Sequence, residues 1–259
     1  MKAVVFAAGI GSRLKPFTDS HPKALAPLGG EPVLGRVMRK IADAGASGII
    51  VNVHHFPEQI RRYLASADFG VPVEISDESD LLLDTAGALA KIYRESAMLG
   101  NAAADETILL HNADIWTDFP LGELIGQHLA SGADATLLAD PGRASSRAFL
   151  FNRDGFNRDG RLRGWRNTAK GIVRPEGLDM SALVPAAFGG VHIISGATLA
   201  RVSDYVGPDL HPAGITDFYI DSCGGLDILR YTPAAPYRWH DIGTTEKLAA
   251  AEAEFEKTN

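Results

Sequence analysis

Short apolar runs alternate with segments of helical periodicity over the first 140 residues, and this alternation constrains the fold more than any other feature of the chain. Lys2–Phe6 reads as a buried strand that feeds a glycine-bearing loop from Ala7 to Pro16. Val33, Leu34, Val37, Met38 and Ile41 then recur on one helix face within residues 32–44, and Gly45 supplies a stop. The same rhythm predicts strands over 48–53, 71–75, 107–111 and 135–139, with helices over 57–64, 87–96 and 120–130. Strand and helix in alternation build an α/β fold, a mostly parallel sheet with helices on both faces.

After residue 140 the rhythm changes. Residues 149–152 and 162–165 flank a turn-rich segment and predict an inserted β-hairpin, 188–194 predicts a further strand, and 244–255 a closing helix capped by Thr244 or Thr245. The turn carries a duplication, Phe151 to Gly155 followed by Phe156 to Gly160; a period of five residues matches no solenoid, so it is read as a dispensable hairpin tip. A single domain over 1–259 is expected.

Composition excludes several classes of function. With 25 basic against 32 acidic residues and a net charge of -7, the chain offers no broad cationic surface for nucleic acid. Cys223 is the only cysteine, so neither an intrachain disulfide nor a thiolate metal cluster is available, which fits a reducing compartment. The apolar start from Met1 to Ile10 is too short for a signal peptide, and no stretch has the length of a membrane span. A cytoplasmic protein with no membrane partner is expected.

The chemistry begins in the first loop. Gly9 and Gly11 let backbone N–H groups approach a phosphate unobstructed, and Ser12 and Arg13 follow at once. A dinucleotide fingerprint wants glycine or alanine where Leu14 stands, and an acid closing the second strand, where Asn52 to His54 offers none. A Walker loop lacks its Gly-Lys-Ser or Gly-Lys-Thr. What remains is a glycine loop with two cations: Arg13 brings a planar fork and Lys23 a compact point charge, a combination suited to a triphosphate. The adjacent His54 and His55 point to opposite faces of a strand and are read as packing residues rather than a zinc site.

The run from Ala7 through Thr18 to Pro22-Lys23 resembles the signature of the sugar-phosphate nucleotidyltransferases. The resemblance continues through Asp84-Thr85-Ala86-Gly87, Asn112-Ala113-Asp114 and His240-Asp241-Ile242-Gly243-Thr244, covering nearly the whole chain. Within the family it is most similar to the short enzymes of the N-acetylmuramate-1-phosphate uridylyltransferase kind. One departure is Ala113, where the family usually has glycine.

The resemblance implies a Rossmann-like sheet of the nucleotide-diphospho-sugar transferase type, with nucleotide bound by about 1–140 and sugar by about 141–259. It implies transfer of a nucleotidyl group from a nucleoside triphosphate to a sugar 1-phosphate, with Mg2+ as cofactor. Ala7, Ala8, Gly9, Gly11, Ser12, Arg13, Lys23, Thr85, Gly87 and Asn112 would contact nucleotide, and Gly190 would help enclose the sugar. Arg13 and Lys23 would be catalytic, Asp114 and Asp241 the metal ligands. From this resemblance UTP is the expected donor and N-acetylmuramate 1-phosphate a candidate acceptor; a pyrimidine would fit a small pocket bounded by Ala7, Ala8, Gly9 and Gly87, although the missing side chains there could equally make room for a purine. The alternatives are guanylyl or another nucleotidyl transfer to mannose, glucose or heptose 1-phosphate, or a non-catalytic nucleotide-sugar-binding subunit.

Overall fold

The computed structural model describes residues 1–153 and 160–256. The first half runs β1 (Lys2–Phe6), β2 (Pro27–Leu28), β3 (Glu31–Pro32), α1 (Val33–Asp43), β4 (Ile49–Val53), α2 (Pro57–Ser66), β5 (Val73–Asp77) and α3 (Asp84–Glu95). It continues through β6 (Thr107–Asn112), β7 (Ile115–Thr117), α4 (Leu121–Ser131) and β8 (Ala135–Asp140). The second half adds β9 (Arg147–Asn152), β10 (Leu162–Asn167), β11 (Ile172–Arg174), β12 (Leu183–Ser195), α5 (Gly196–Val206), α6 (Ile215–Ser222), β13 (Ile228–Tyr231), β14 (Trp239–Asp241) and α7 (Thr245–Glu256).

The expected parallel core is present as β5-β4-β1-β6, with Val5 opposite both Val51 and His111. Ala3, Val4 and Val5 are fully buried because β1 is covered on both faces, which is why it reads as a continuous apolar run rather than an alternating one. One core cluster gathers α1 and α2 against one face through Val37, Ile41 and Ile60. The other gathers α3, α5 and α6 through Leu89, Val202 and Phe218.

The antiparallel part is larger than the single hairpin expected from sequence. The predicted hairpin is β9–β10, and it is extended by β11 on one side and β12 on the other. Strand β12 pairs with β9 over Leu183–Ala186 and with β6 over Val191–Ser195, and its register against β8 shifts between Phe188 and His192. Gly190, at φ 71°, sits in this bulge; the left-handed region costs glycine nothing, and the bulge bends the strand where its partner changes. The second copy of the duplicated pentapeptide lies largely outside the described residues. Among the described residues no helix is long and apolar enough to cross a membrane.

Candidate active site

The glycine loop leaves the carboxyl end of β1, the edge at which open α/β sheets place their ligands. Its backbone is fixed before any ligand arrives. The Ala7 N–H donates to Asn52 Oδ1 at 2.7 Å, Asn52 Nδ2 donates to Glu78 Oε1 at 2.8 Å, and the Leu83 N–H donates to Glu78 Oε2 at 3.1 Å. One buried chain of hydrogen bonds thus ties the loop to the turn before α3, and burial of Glu78 pushes its carboxyl pKa up. Gly11 has φ 68°, and a Cβ there would lie 2.8 Å from Lys23 Cβ; only glycine lets the loop pass over the lysine. Leu14, where a dinucleotide fingerprint wants glycine or alanine, is 1% exposed and anchors the far end of the loop in the core.

Two cavities open beside this loop. The first, of 550 Å³, is lined by Ala7, Ala8, Gly9, Gly11, Ser12 and Arg13 together with Lys23, Asn52, Asp84, Thr85, Asn112 and Asp114. The second, of 680 Å³, is lined by residues of the β9–β12 region and by Gly190, Arg143, Trp239 and Asp241. Arg13, Asn112 and Asp114 line both, so the cavities adjoin along these three side chains.

Asp114 and Asp241, far apart in sequence, are brought together by the main chain. Strand β14 pairs antiparallel with β7, placing Asp241 opposite Ile115, and the Ile242 N–H donates to the Asp114 carbonyl at 2.8 Å. Each carboxylate is met by a lysine: Lys23 Nζ on Asp114 Oδ2, and Lys247 Nζ on Asp241 Oδ2 at 2.6 Å. No cluster of three or more metal-ligating side chains occurs among the described residues. Two carboxylates beside a phosphate-sized cavity are nonetheless the donor set Mg2+ commonly takes, since substrate phosphates and water complete its octahedron.

Residues 2–148 match the family model described as Nucleotidyl transferase. The chain belongs to the nucleotidyl transferase family. This nucleotidyl transferase is 31% identical over 140 residues to a mannose-1-phosphate guanyltransferase of Gibberella zeae, a stretch covering 53% of the chain and 37% of that relative. It is 32% identical over 146 residues to a protein of the same name from Debaryomyces hansenii, covering 54% and 37%. The matched stretch thus spans little more than a third of those relatives.

In fold it is similar over its whole length to a putative glucose-1-phosphate thymidylyltransferase from Bacillus anthracis, with TM-score 0.77, 18% identity and 96% of that chain covered. HddC from Yersinia pseudotuberculosis complexed with GMP-PN gives 0.70 at 18% identity, covering 98% of this chain and 99% of that one. UDP-glucose pyrophosphorylase complexed with UDP-glucose gives 0.76 at 15% identity, with both chains covered completely.

Of the site residues read from the sequence, Gly87 is misplaced. It does not line the first cavity: its N–H donates to the Ala213 carbonyl at 3.2 Å, and a Cβ at Gly87 would lie 2.6 Å from the His211 carbonyl oxygen. Its role in the nucleotidyl transferase is close packing of α3 on the segment before α6. Gly87→Ala is therefore expected to act as a packing defect, costing about 1–3 kcal/mol and lowering the urea midpoint, with base preference unchanged; a shift in base preference at unchanged stability would contradict this.

Thr85 lines the cavity, but its Oγ1 accepts from the Ile215 N–H at 2.8 Å and so also starts α6. Gly190 reaches the second cavity, close enough to Asn112 that a Cβ would sit 3.0 Å from Nδ2. Sequence reasoning missed Asn52 and Glu78, whose role depends on a long-range network, and Arg143. Arg143 stacks 3.6 Å over the Trp239 ring and donates to the Ala187 carbonyl at 2.7 Å. A proline-glycine-arginine turn after a strand was its only signal.

Proposed function

We propose that this protein is a sugar-1-phosphate nucleotidyltransferase, and that guanylyl transfer is its activity. The observation that carries the reading is the meeting of two cavities at Arg13, Asn112 and Asp114, one beside a glycine loop and one beside the β9–β12 region. A nucleoside triphosphate in the first and a sugar 1-phosphate in the second would bring their phosphates to those shared residues. An oxygen of the sugar phosphate then forms a bond to the α-phosphorus as the bond to the bridging oxygen breaks, and pyrophosphate leaves with that electron pair.

The protein's part is alignment and charge. Backbone N–H groups of the loop and the Arg13 guanidinium face the departing phosphates, while Lys23 faces the reacting centre. Asp114 and Asp241 would hold Mg2+, which when bound neutralises charge on phosphate oxygens. Holding the loop through Asn52 and Glu78 excludes misaligned approaches, because it does not have to reorganise on binding.

Guanine is favoured over uracil for two reasons. The named relatives are mannose-1-phosphate guanyltransferases, and Gly87, one of the four residues expected to bound a small base pocket, does not line the first cavity. Asp84 also lines the first cavity, held at φ 56°, a conformation that non-glycine residues rarely adopt and that is retained where surroundings or function demand it. Its carboxylate accepts but does not donate; guanine offers two neighbouring N–H donors on its pairing edge, whereas uracil offers one flanked by acceptors.

The test is competition between GTP and UTP at equal concentration with mannose 1-phosphate and Mg2+, read as a ratio of kcat/KM. A ratio of about tenfold or more in favour of GTP is expected. Preference for UTP would restore uridylyl transfer, and failure to release pyrophosphate with any common triphosphate and sugar 1-phosphate would leave a binding protein.

A further inference from the structure

The two carboxylates assigned to the metal are not free to receive it. Lys23 meets Asp114, and its side chain is only 12% exposed, so this ammonium has little water to retreat into. Lys247, from the first turn of α7, meets Asp241 Oδ2 at 2.6 Å and is half exposed. Arg13 lines the second cavity together with both aspartates and Lys247. A divalent cation arriving alone would meet three cationic side chains around two acids, each acid already in contact with an ammonium group.

A triphosphate reverses that balance. Its oxygens accept from ammonium and guanidinium groups, so a bound nucleotide draws the lysines away from the carboxylates and adds negative ligands of its own. We propose that the metal site is closed in the free protein and opened by nucleotide, with Lys247 as the positioning residue that holds Asp241 until phosphate replaces it. The inference rests on the nucleotidyl-transfer reading for the identity of the anion. The lysine contacts themselves do not depend on it.

The prediction concerns metal binding rather than turnover. Mn2+ is the probe, and water-proton relaxation enhancement reports the ion bound to protein. Wild type alone is expected to bind Mn2+ at least tenfold more weakly than wild type holding a non-hydrolysable GTP analogue. Lys247→Met, in the absence of nucleotide, is expected to bind Mn2+ several-fold more tightly than wild type, because Asp241 has lost its ammonium; Lys247→Arg, which keeps the charge, should behave as wild type.

Lys247 is half exposed, so its replacement leaves the core intact, and a thermal melt of each variant checks this. Equal Mn2+ affinity with and without the analogue, or no tightening in Lys247→Met, overturns the proposal. Failure of the analogue to bind in calorimetry would count against the functional reading instead, and the Lys247→Met comparison, which needs no nucleotide, would still decide this one.

Discussion

Asp114→Asn is expected to lose both turnover and stability, whereas Asp241→Asn loses turnover and keeps nearly all of its stability. The sequence treats the two alike, as a pair of metal ligands. The structure separates them. Asp114 is the partner of a lysine whose side chain is 12% exposed, so removing its charge leaves an ammonium with little access to water. Breaking such a partly buried pair costs roughly 1–3 kcal/mol, between the values for exposed and fully buried pairs. In a domain of this size each kcal/mol moves the melting temperature by about 2–4 °C.

Lys247, the partner of Asp241, is 50% exposed and regains water when the pair is lost, so melting should move little. Turnover is a different matter: each change removes an anionic ligand from the proposed metal site and with it part of the neutralisation of the phosphates, and a loss of roughly 10²–10³ in kcat is expected for both, the scale seen when one preorganised electrostatic contact is deleted. Thermal melts and pyrophosphate release on the two variants check the argument. Equal melting shifts would mean the Lys247 pair is worth as much as the Lys23 pair, and undiminished turnover in either variant would remove that aspartate from the metal site.

Acid is expected to destabilise the protein already above the carboxylate range. His111 and His192 are buried on β6 and β12, and burial pushes their pKa values down to about 4 and about 3. His111 is opposed in part by its hydrogen bond to the Asn112 carbonyl, and His192 is lowered further by His111. Both stay neutral in the folded chain while their unfolded counterparts take up protons near pH 6.5. The unfolded state therefore binds more protons between pH 6.5 and 4, and stability falls as pH falls through that window.

Each histidine contributes a slope of up to about 1.4 kcal/mol per pH unit. Urea midpoints measured from pH 7 to 4.5 should decline steeply, and His192→Gln, which leaves a partner for the Tyr219 hydroxyl now 2.8 Å from Nδ1, should roughly halve the decline. A flat profile over that range would show that the folded state admits protons at these rings.

The parallel half of the fold was legible because its strands are buried on both faces and its helices amphipathic, so one period follows the other without ambiguity. Val33 to Ile41 marks α1 by itself. The second half was legible in part: the β9–β10 hairpin, a stretch of β12 and α7 were read from the sequence, whereas α5, α6 and β13 were not. Helix α6 is short, and the segment before it is organised by contacts from α3: the Ala213 carbonyl accepts from the N–H groups of Ala86 and Gly87. Strands β7 and β14 have three residues each, too few for a period, and exist because they pair with each other.

Within the site the loop residues and both aspartates were singled out through the ordered motifs that carry the family resemblance, and the structure places them along the two adjoining cavities. Gly87 could not be placed correctly, since a glycine that admits substrate and one that admits a neighbouring carbonyl leave the same mark in sequence. Asn52 was noticed only as the absence of an acid; its amide, which orders the loop through Ala7, has meaning only once β4 lies beside β1.

The pairing of β14 with β7 also fixes when and how the site comes into being. Glycine loop, Lys23 and Asp114 emerge from the ribosome long before Asp241, so the acidic pair is incomplete until β14 has been made. The separation of the two aspartates is set by a ladder of main-chain hydrogen bonds, and the stretch joining β13 to β14 is itself tied down at Thr232, which donates to the Ala139 carbonyl, and at Arg238, which donates to Asp118. A slip of one residue in that ladder is not tolerated: it would turn Asp241 to the opposite face and present a neighbour in its place.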